Sequence, residues 1–323
     1  MASALAWSWR NALHGVVLAI PAGIAMLSDS RVGLALAVGV LPAAALGVAS
    51  SRRQRLLGLL VGVIAAVSML VGSVVAGIPV LAVVAIFALC VGVAVLAADR
   101  SRRLAMPILM LGVPLIGVGL SLDSVSTGLA AAGLIVVGSA YAVGVSLLWP
   151  ERTPAVRAPR PNATRSTMLV YGIQIGLAGS IGAAIGFAMG VDHPGWACAA
   201  ALMVSRPSHS LLVTRGWGRA VSVLVGALLA CGVAAMHPPV WLFALLLVLV
   251  IALGTATAGS RWYVFPFFST YVVLSMLLLE DTATPAHWFV ERVGLTLLGV
   301  GLALAAAVIV PRVAKALEGR GRR

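Results

Sequence analysis

Three arginines, Arg206, Arg215 and Arg219, are the residues of this 323-residue chain best suited to chemistry. They follow His193-Pro-Gly-Trp196 and Ser205-Arg206-Pro207, and Gly226 lies two helical turns beyond the last of them. A guanidinium is planar, stays charged at any relevant pH and matches a carboxylate with two parallel donors, so the group suits capture of an organic anion. Arg206 and Arg215 read equally well as topology anchors that meet lipid headgroups. Arg219 leads into an apolar run, followed by Ser222 and Gly226, a small-residue ridge for close helix contact. A second cluster is aromatic: Trp262, Tyr263, Phe265, Phe267, Phe268 and Tyr271 around Pro266. Pro266 lacks an N–H donor and is expected to kink its helix. Tyr263, Phe267, Phe268 and Tyr271 beside such a kink would form a wall for an aromatic ring. Plain packing and interfacial anchoring account for the same residues without a ligand.

Other polar groups inside apolar runs are few. Gln174 sits among Gly172, Gly176, Gly179, Gly182 and Gly186, where it either bonds a neighbouring helix or lines a path. His14, near the start of the first run, reads as a structural group. No Asp or Glu falls near the middle of a run; Glu280, Asp281 and Glu291 are expected at its boundaries, which argues against a buried carboxylate proton relay. DxxD, HExxH and a phosphate-cradling loop are missing, as is any Ser/His/Asp arrangement on neighbouring faces, so no enzyme activity is expected. Cys90, Cys198 and Cys231 lie in apolar stretches without a CxxC or Cys/His grouping, so neither metal nor cofactor is expected.

The elements that must position these residues follow from composition. The chain is 61% apolar and 10% charged, with mean hydropathy +1.10. A soluble globular chain carries far more charge, so a membrane protein is implied. Apolar runs occupy about 11–27, 31–50, 56–76, 78–98, 104–120 and 127–149, then 168–190, 194–207, 217–236, 239–258, 262–279 and 289–311. At roughly 20 residues per crossing these are twelve candidate spans, the eighth being short. Arginine dominates the +13 net charge. The odd-numbered connections hold only Arg31 and Arg292 as cations against six carboxylates, whereas the termini and even-numbered connections hold the other twenty against three. The positive-inside rule therefore puts both termini in the cytoplasm. Trp7, Trp9, Trp149, Trp217 and Trp262 fall at inner ends, and Trp196, Trp241 and Trp288 at outer ends, as an aromatic belt requires.

The stretch 151–166, rich in Pro and Arg, reads as a cytoplasmic linker between two copies of one unit. Ser101-Arg102 with Pro107 matches Ser260-Arg261 with Pro266; Arg55, Gly58 and Gly62 match Arg219, Ser222 and Gly226; Pro150 matches Pro311. The expected organisation is an all-α polytopic protein: a first six-helix repeat over 1–150, a second over 167–312 and a basic tail over 313–323. An even number of spans per copy makes the repeats parallel, a transporter arrangement with the path between the halves.

The order His193-Pro-Gly-Trp196, Ser205-Arg206-Pro207, Arg219, Gly226 and, further on, Glu291-Arg292 resembles the fusaric acid resistance family of bacterial aromatic-acid exporters. The resemblance rests on Trp196, Arg206, Pro207, Arg219, Gly226 and Arg292 in the second half. The first half keeps only Arg55, Gly58, Gly62 and Pro150. It implies a multi-pass transporter of the bacterial inner membrane that exports small organic anions, with no nucleic acid partner. On that reading Arg219 and Arg55 contact the anion near the cytoplasmic entrance, the four aromatics receive its ring, and Gln174 adds a polar contact. A channel-like anion conductor and a non-transporting assembly partner in the membrane stay open as alternatives. So does a homo-oligomer or a periplasmic or membrane partner.

Overall fold

A computed structural model describes residues 5–99, 101–102, 104–122, 124–153, 164–206, 208–261, 263–280 and 285–320. Among these residues there are twelve helices and no strands. They are α1 Trp9–Ser28, α2 Ser30–Leu46, α3 Arg52–Ala76, α4 Pro79–Ala97, α5 Ala105–Gly119 and α6 Val125–Leu147. The second series is α7 Arg165–Met189, α8 Gly195–Val204, α9 His209–Ala235, α10 Val240–Ala256, α11 Phe265–Glu280 and α12 Pro285–Arg320. Seven of them (α1, α3, α4, α6, α7, α9 and α12) are long and apolar enough to cross a bilayer. Their outward faces are apolar too, with Val80 and Val84 on α4 and Leu224 and Leu228 on α9 exposed. A helix apolar on every face is at home in lipid, and the chain is a multi-pass membrane protein.

Local chemistry sets the helix ends. Asp29 caps α2 by accepting from the Arg31 and Val32 amides at 2.9 and 3.3 Å, and Thr164 caps α7 by accepting from Thr167 at 3.2 Å. Gly47 at φ +62° and Gly190 at φ +60° end α2 and α7 in backbone conformations that a side chain would strain. Two expectations about proline change. Pro266 stands in the first turn of α11, where its missing N–H costs nothing, so it begins a helix instead of kinking one. Pro311 lies inside α12, which continues through the basic tail to Arg320. The irregular helix is α5, which opens into a π-turn over Ile108–Gly112 directly after Pro107. Trp262, the linker residues 154–163, Pro207 and Asp281 lie outside the described residues.

The helices form two compact units, and neither follows the sequence halves. The first gathers Met1–Ala66, Ala130–Val156 and Val221–Val293. In it α1 lies along α10. A Cβ added to Gly15 would come 2.8 Å from the Ala252 Cα, so only glycine admits this approach. Leu34 and Ala37 of α2, Leu247 and Ile251 of α10, and Phe268 and Tyr271 of α11 share its core. The second unit gathers Val67–Leu129, Arg157–Ala220 and Gly294–Arg323. Here α4 offers a stripe at every fourth residue, Ala82, Ile86, Cys90 and Ala94, to the glycine face of α7. A Cβ on Gly172 would come 2.8 Å from Ala94. The helix partners correspond between the units: α1 with α10 and α7 with α4, α1 with α2 and α7 with α8, α2 with α11 and α8 with α5.

The short helix α8 is the core of the second unit. Its ten residues rise only about 15 Å, half a bilayer, and all but Met203 are buried. Glycines on three neighbouring helices make room for it. Gly117 of α5, Gly182 of α7 and Gly299 of α12 each lie so near its backbone that an added Cβ would fall within about 3 Å of it.

Candidate functional site

The His193-Pro-Gly-Trp196 stretch is the turn that starts α8. The Trp196 amide donates to the His193 carbonyl at 3.1 Å, and their rings stack with centroids 4.0 Å apart. Gly195 donates its N–H to the Ser121 hydroxyl at 3.1 Å and lies directly on the Gly117 carbonyl. Trp196 is therefore a buried structural residue of α8.

At the other end of α8, Arg206 folds back as a cap. Its Nη1 donates to the Met203 and Ser205 carbonyls, the orphan acceptors of a helix C-terminus. Tyr171 of α7 donates its hydroxyl to the same Ser205 carbonyl at 3.1 Å. The buried face of α9 runs Leu212, Gly216, Arg219, Val223, Ala227 and Ala230, so Arg219 points its charge into the protein with only 5% of its surface exposed. Half-buried Arg215 lies one turn earlier, within electrostatic range of Arg206 and Tyr171. Gln174 follows Tyr171 by one turn on α7, buried, and its Nε2 has no acceptor among the described residues. The second unit thus holds three arginines, a phenol and an amide, of which Arg206, Arg215 and Tyr171 lie within electrostatic range of one another. Tyr171 was not nominated from the sequence; its spacing of three from Gln174 was the available sign.

Arg55 belongs to a different environment. Its Nε donates to Ala49 at 2.9 Å, Nη1 to Ser146 at 2.7 Å and to Trp149 at 2.6 Å, and Nη2 to Pro150 at 2.9 Å. Four of its five N–H groups close the ends of α2 and α6, so it ties helices together and has little left for a substrate. Gly58 of α3 meets Val143 of α6, and Gly216 of α9 meets Val300 of α12.

The aromatics of α11 are split. Phe268 packs on Gly254 of α10 and Tyr271 is almost fully buried in the first unit's core. The Phe267 backbone rests on Gly226, and the Tyr263 carbonyl accepts from the Ser222 hydroxyl, so the Ser222–Gly226 ridge of α9 does meet α11. The Tyr263 hydroxyl accepts from exposed Arg261 at 3.3 Å. These contacts are those of packing. Each unit also has a cavity, and none of the four aromatics lines either. One, of about 370 Å³, is bordered by Ser73, Ser121, Ser124, Asp192 and Pro194. The other, of about 220 Å³, is bordered by Ser30, His237, Phe243, Ser275 and Leu278. Both are built from odd-numbered connections and adjoining helix ends.

One expectation about charge is overturned. Glu291 and Arg292 lie in the second turn of α12, not in a connection. The Glu291 side chain is 4% exposed and its Oε2 stands 3.5 Å from Nε2 of the exposed His287, one turn earlier. Arg292 donates to the Thr270 hydroxyl of α11 at 3.4 Å. A buried carboxylate is therefore present, and the argument against proton coupling from its absence falls. His14 is buried as well, edge-on to Trp149 with ring centroids 5.2 Å apart.

Comparison with known proteins bears on this second half. No curated protein and no solved structure matches the chain. A family model described as fusaric acid resistance protein-like matches residues 180–306, which takes in Trp196, Arg206, Arg219, Gly226 and Arg292. Arg55, Gly58, Gly62 and Pro150 fall outside the match. Over the stretch that holds the short buried helix and its arginines, the chain is thus similar to the fusaric acid resistance protein-like family.

Proposed function

We propose that the chain exports small organic anions, aromatic carboxylates foremost, from the cytoplasm across a bacterial inner membrane. Arg219 carries the reading: a guanidinium set into the buried face of a membrane helix, inside the family match. Lipid-facing helices exclude charge, and a cation kept at such depth commonly serves a substrate path. Arg215 brings a second fork at the same face, and Gln174 offers an amide donor one turn beyond Tyr171. The membrane potential supplies a driving force, since a monoanion leaving a negative interior gains about 2.3 kcal/mol per 100 mV, roughly fifty-fold accumulation. The Glu291–His287 contact favours a second energetic reading, in which a proton moves with or against the anion.

Twelve crossings with both termini cytoplasmic fit the charge alternation. We read α8 with its flanking residues as the eighth crossing, at a depth where protein and not lipid surrounds the backbone. The corresponding helix partners of the two units support two six-helix repeats.

The test is efflux of preloaded hydroxybenzoate from proteoliposomes under an imposed potential. Arg219→Ala is expected to lower flux per folded protein by about tenfold or more, and Arg219→Lys to restore only part, because an ammonium lacks the fork. Undiminished flux in Arg219→Ala, or no protein-dependent flux of any carboxylate, overturns the reading.

A further inference from the structure

Around the Pro150 carbonyl the first unit gathers more positive charge than its described residues neutralise. Nη2 of Arg10 donates to that oxygen at 2.6 Å, and Nη2 of Arg55 donates to the same oxygen at 2.9 Å. Two guanidiniums on one neutral acceptor bring like charges together. Arg152 is a further charged neighbour of Arg10, and Arg52 of Arg55. The nearby carboxylate is Glu151, whose Oε1 is engaged at the start of α3 by the Arg52 amide at 2.6 Å. Among the described residues, four guanidiniums thus stand beside one carboxylate that already caps a helix.

The surroundings identify what could balance them. Arg55 is consumed by carbonyls, but Arg10 makes one bond to the protein and its Nε finds no acceptor among the described residues. Arg152 is exposed. Next to these cations in sequence are apolar side chains turned outward: Trp9 at 78% exposure, Leu148 at 80%, and Leu13, Leu56 and Leu57. Cations ringed by lipid-facing leucine and tryptophan mark the level of the headgroups. We propose that Arg10 and Arg152, backed by the remaining N–H of Arg55, bind a phosphate-bearing anion, and that its source is the headgroup of an anionic phospholipid. Its acyl chains would lie along the exposed leucines. This site lies in the first unit, apart from Arg219, and does not depend on the export reading.

The experiment measures lipid binding to the purified full chain in detergent, by native mass spectrometry and by the shift of its thermal unfolding. The probes are phosphatidylglycerol, cardiolipin, zwitterionic phosphatidylcholine and inorganic phosphate. Anionic lipids are expected to bind and to raise the unfolding temperature, with phosphatidylcholine and inorganic phosphate far weaker. At about a fivefold loss per arginine, Arg10→Gln with Arg152→Gln should bind anionic lipid roughly twenty-five-fold more weakly. Arg152→Gln alone, at an exposed position outside the helices, keeps the test readable if the double variant does not fold. Unchanged binding in Arg152→Gln, or no preference of the native chain for anionic over zwitterionic lipid, overturns the proposal. A shift with inorganic phosphate equal to that with lipid overturns the lipid as occupant.

Discussion

Gly195→Ala should abolish the folded second unit, although it adds a single methyl group to a helix. The new Cβ would fall 1.7 Å from the Gly117 carbonyl oxygen and 2.9 Å from the Leu120 Cβ. The nearer obstacle is backbone, so no rotamer change can relieve it, and α5 and α8 would have to separate. Overpacking against side chains typically costs about 1–3 kcal/mol; a backbone collision in the first turn of a buried helix should exceed that. Size-exclusion profiles and thermal unfolding in detergent provide the check. Gly232→Ala and Gly301→Ala serve as controls, because a Cβ at either position meets nothing within 4 Å. Both should unfold at or above the native temperature, since alanine is favoured over glycine in a helix by about 1 kcal/mol. A monodisperse Gly195→Ala protein with native unfolding would mean that α5 and α8 do not cross as described.

The second large effect belongs to Arg55. Arg55→Ala removes the donors to the Ala49, Ser146, Trp149 and Pro150 carbonyls. Each acceptor left unsatisfied in a buried setting costs about 1–3 kcal/mol, so the total loss should be on the order of 3 kcal/mol or more even though the terms do not add fully. Arg55→Lys is the informative partner. It keeps the charge but has three donors where four bonds are made, and it lacks the planar spread that reaches α2 and α6 together. It should be destabilised nearly as much as the alanine variant. Transport separates a tie from a substrate contact: the amount of folded protein falls, while flux per folded molecule and its KM stay native. A Lys variant with native stability and an altered KM would restore Arg55 to the anion path.

Much of the helix pattern was legible, because hydropathy along the chain reports which segments lipid accepts. The runs 168–190 and 239–258 correspond closely to Arg165–Met189 and Val240–Ala256. What it does not carry is the partner of each helix. That depends on where glycines allow backbones to touch, as Gly15 does for Ala252 and Gly172 for Ala94, and small residues recur too often in such a sequence to fix a register. The ties that Arg55 makes were not legible for another reason: its acceptors are backbone carbonyls up to 95 positions away, and a carbonyl has no signature in the sequence. Glu291 was placed at a boundary because six residues separate it from the start of α12, a distance at which charge can be inside or outside. Arg219, by contrast, stood out as the arginine that entered an apolar run, and it is buried.

The way each unit borrows helices from both halves of the chain also sets a timetable for biosynthesis. Helices generally settle as they leave the ribosome, amino-terminal parts first. Here α1 is made at the outset, yet the helix that fits its Gly15 and Gly23 face is α10, which is translated only after the linker and the first three helices of the second half. During that interval α1 and α2 must wait in the bilayer with a glycine-lined face turned to lipid or to an insertion factor. The unit built on α4 and α7 has a shorter delay, since α7 follows soon after the linker and α8 directly after it. Assembly in the cell should therefore begin around α4, α5, α7 and α8 and finish when α10 and α11 reach α1 and α2. A nascent chain halted before α10 would hold Arg206, Arg215, Arg219 and the short buried helix, but with the Gly15 face of α1 still unmated.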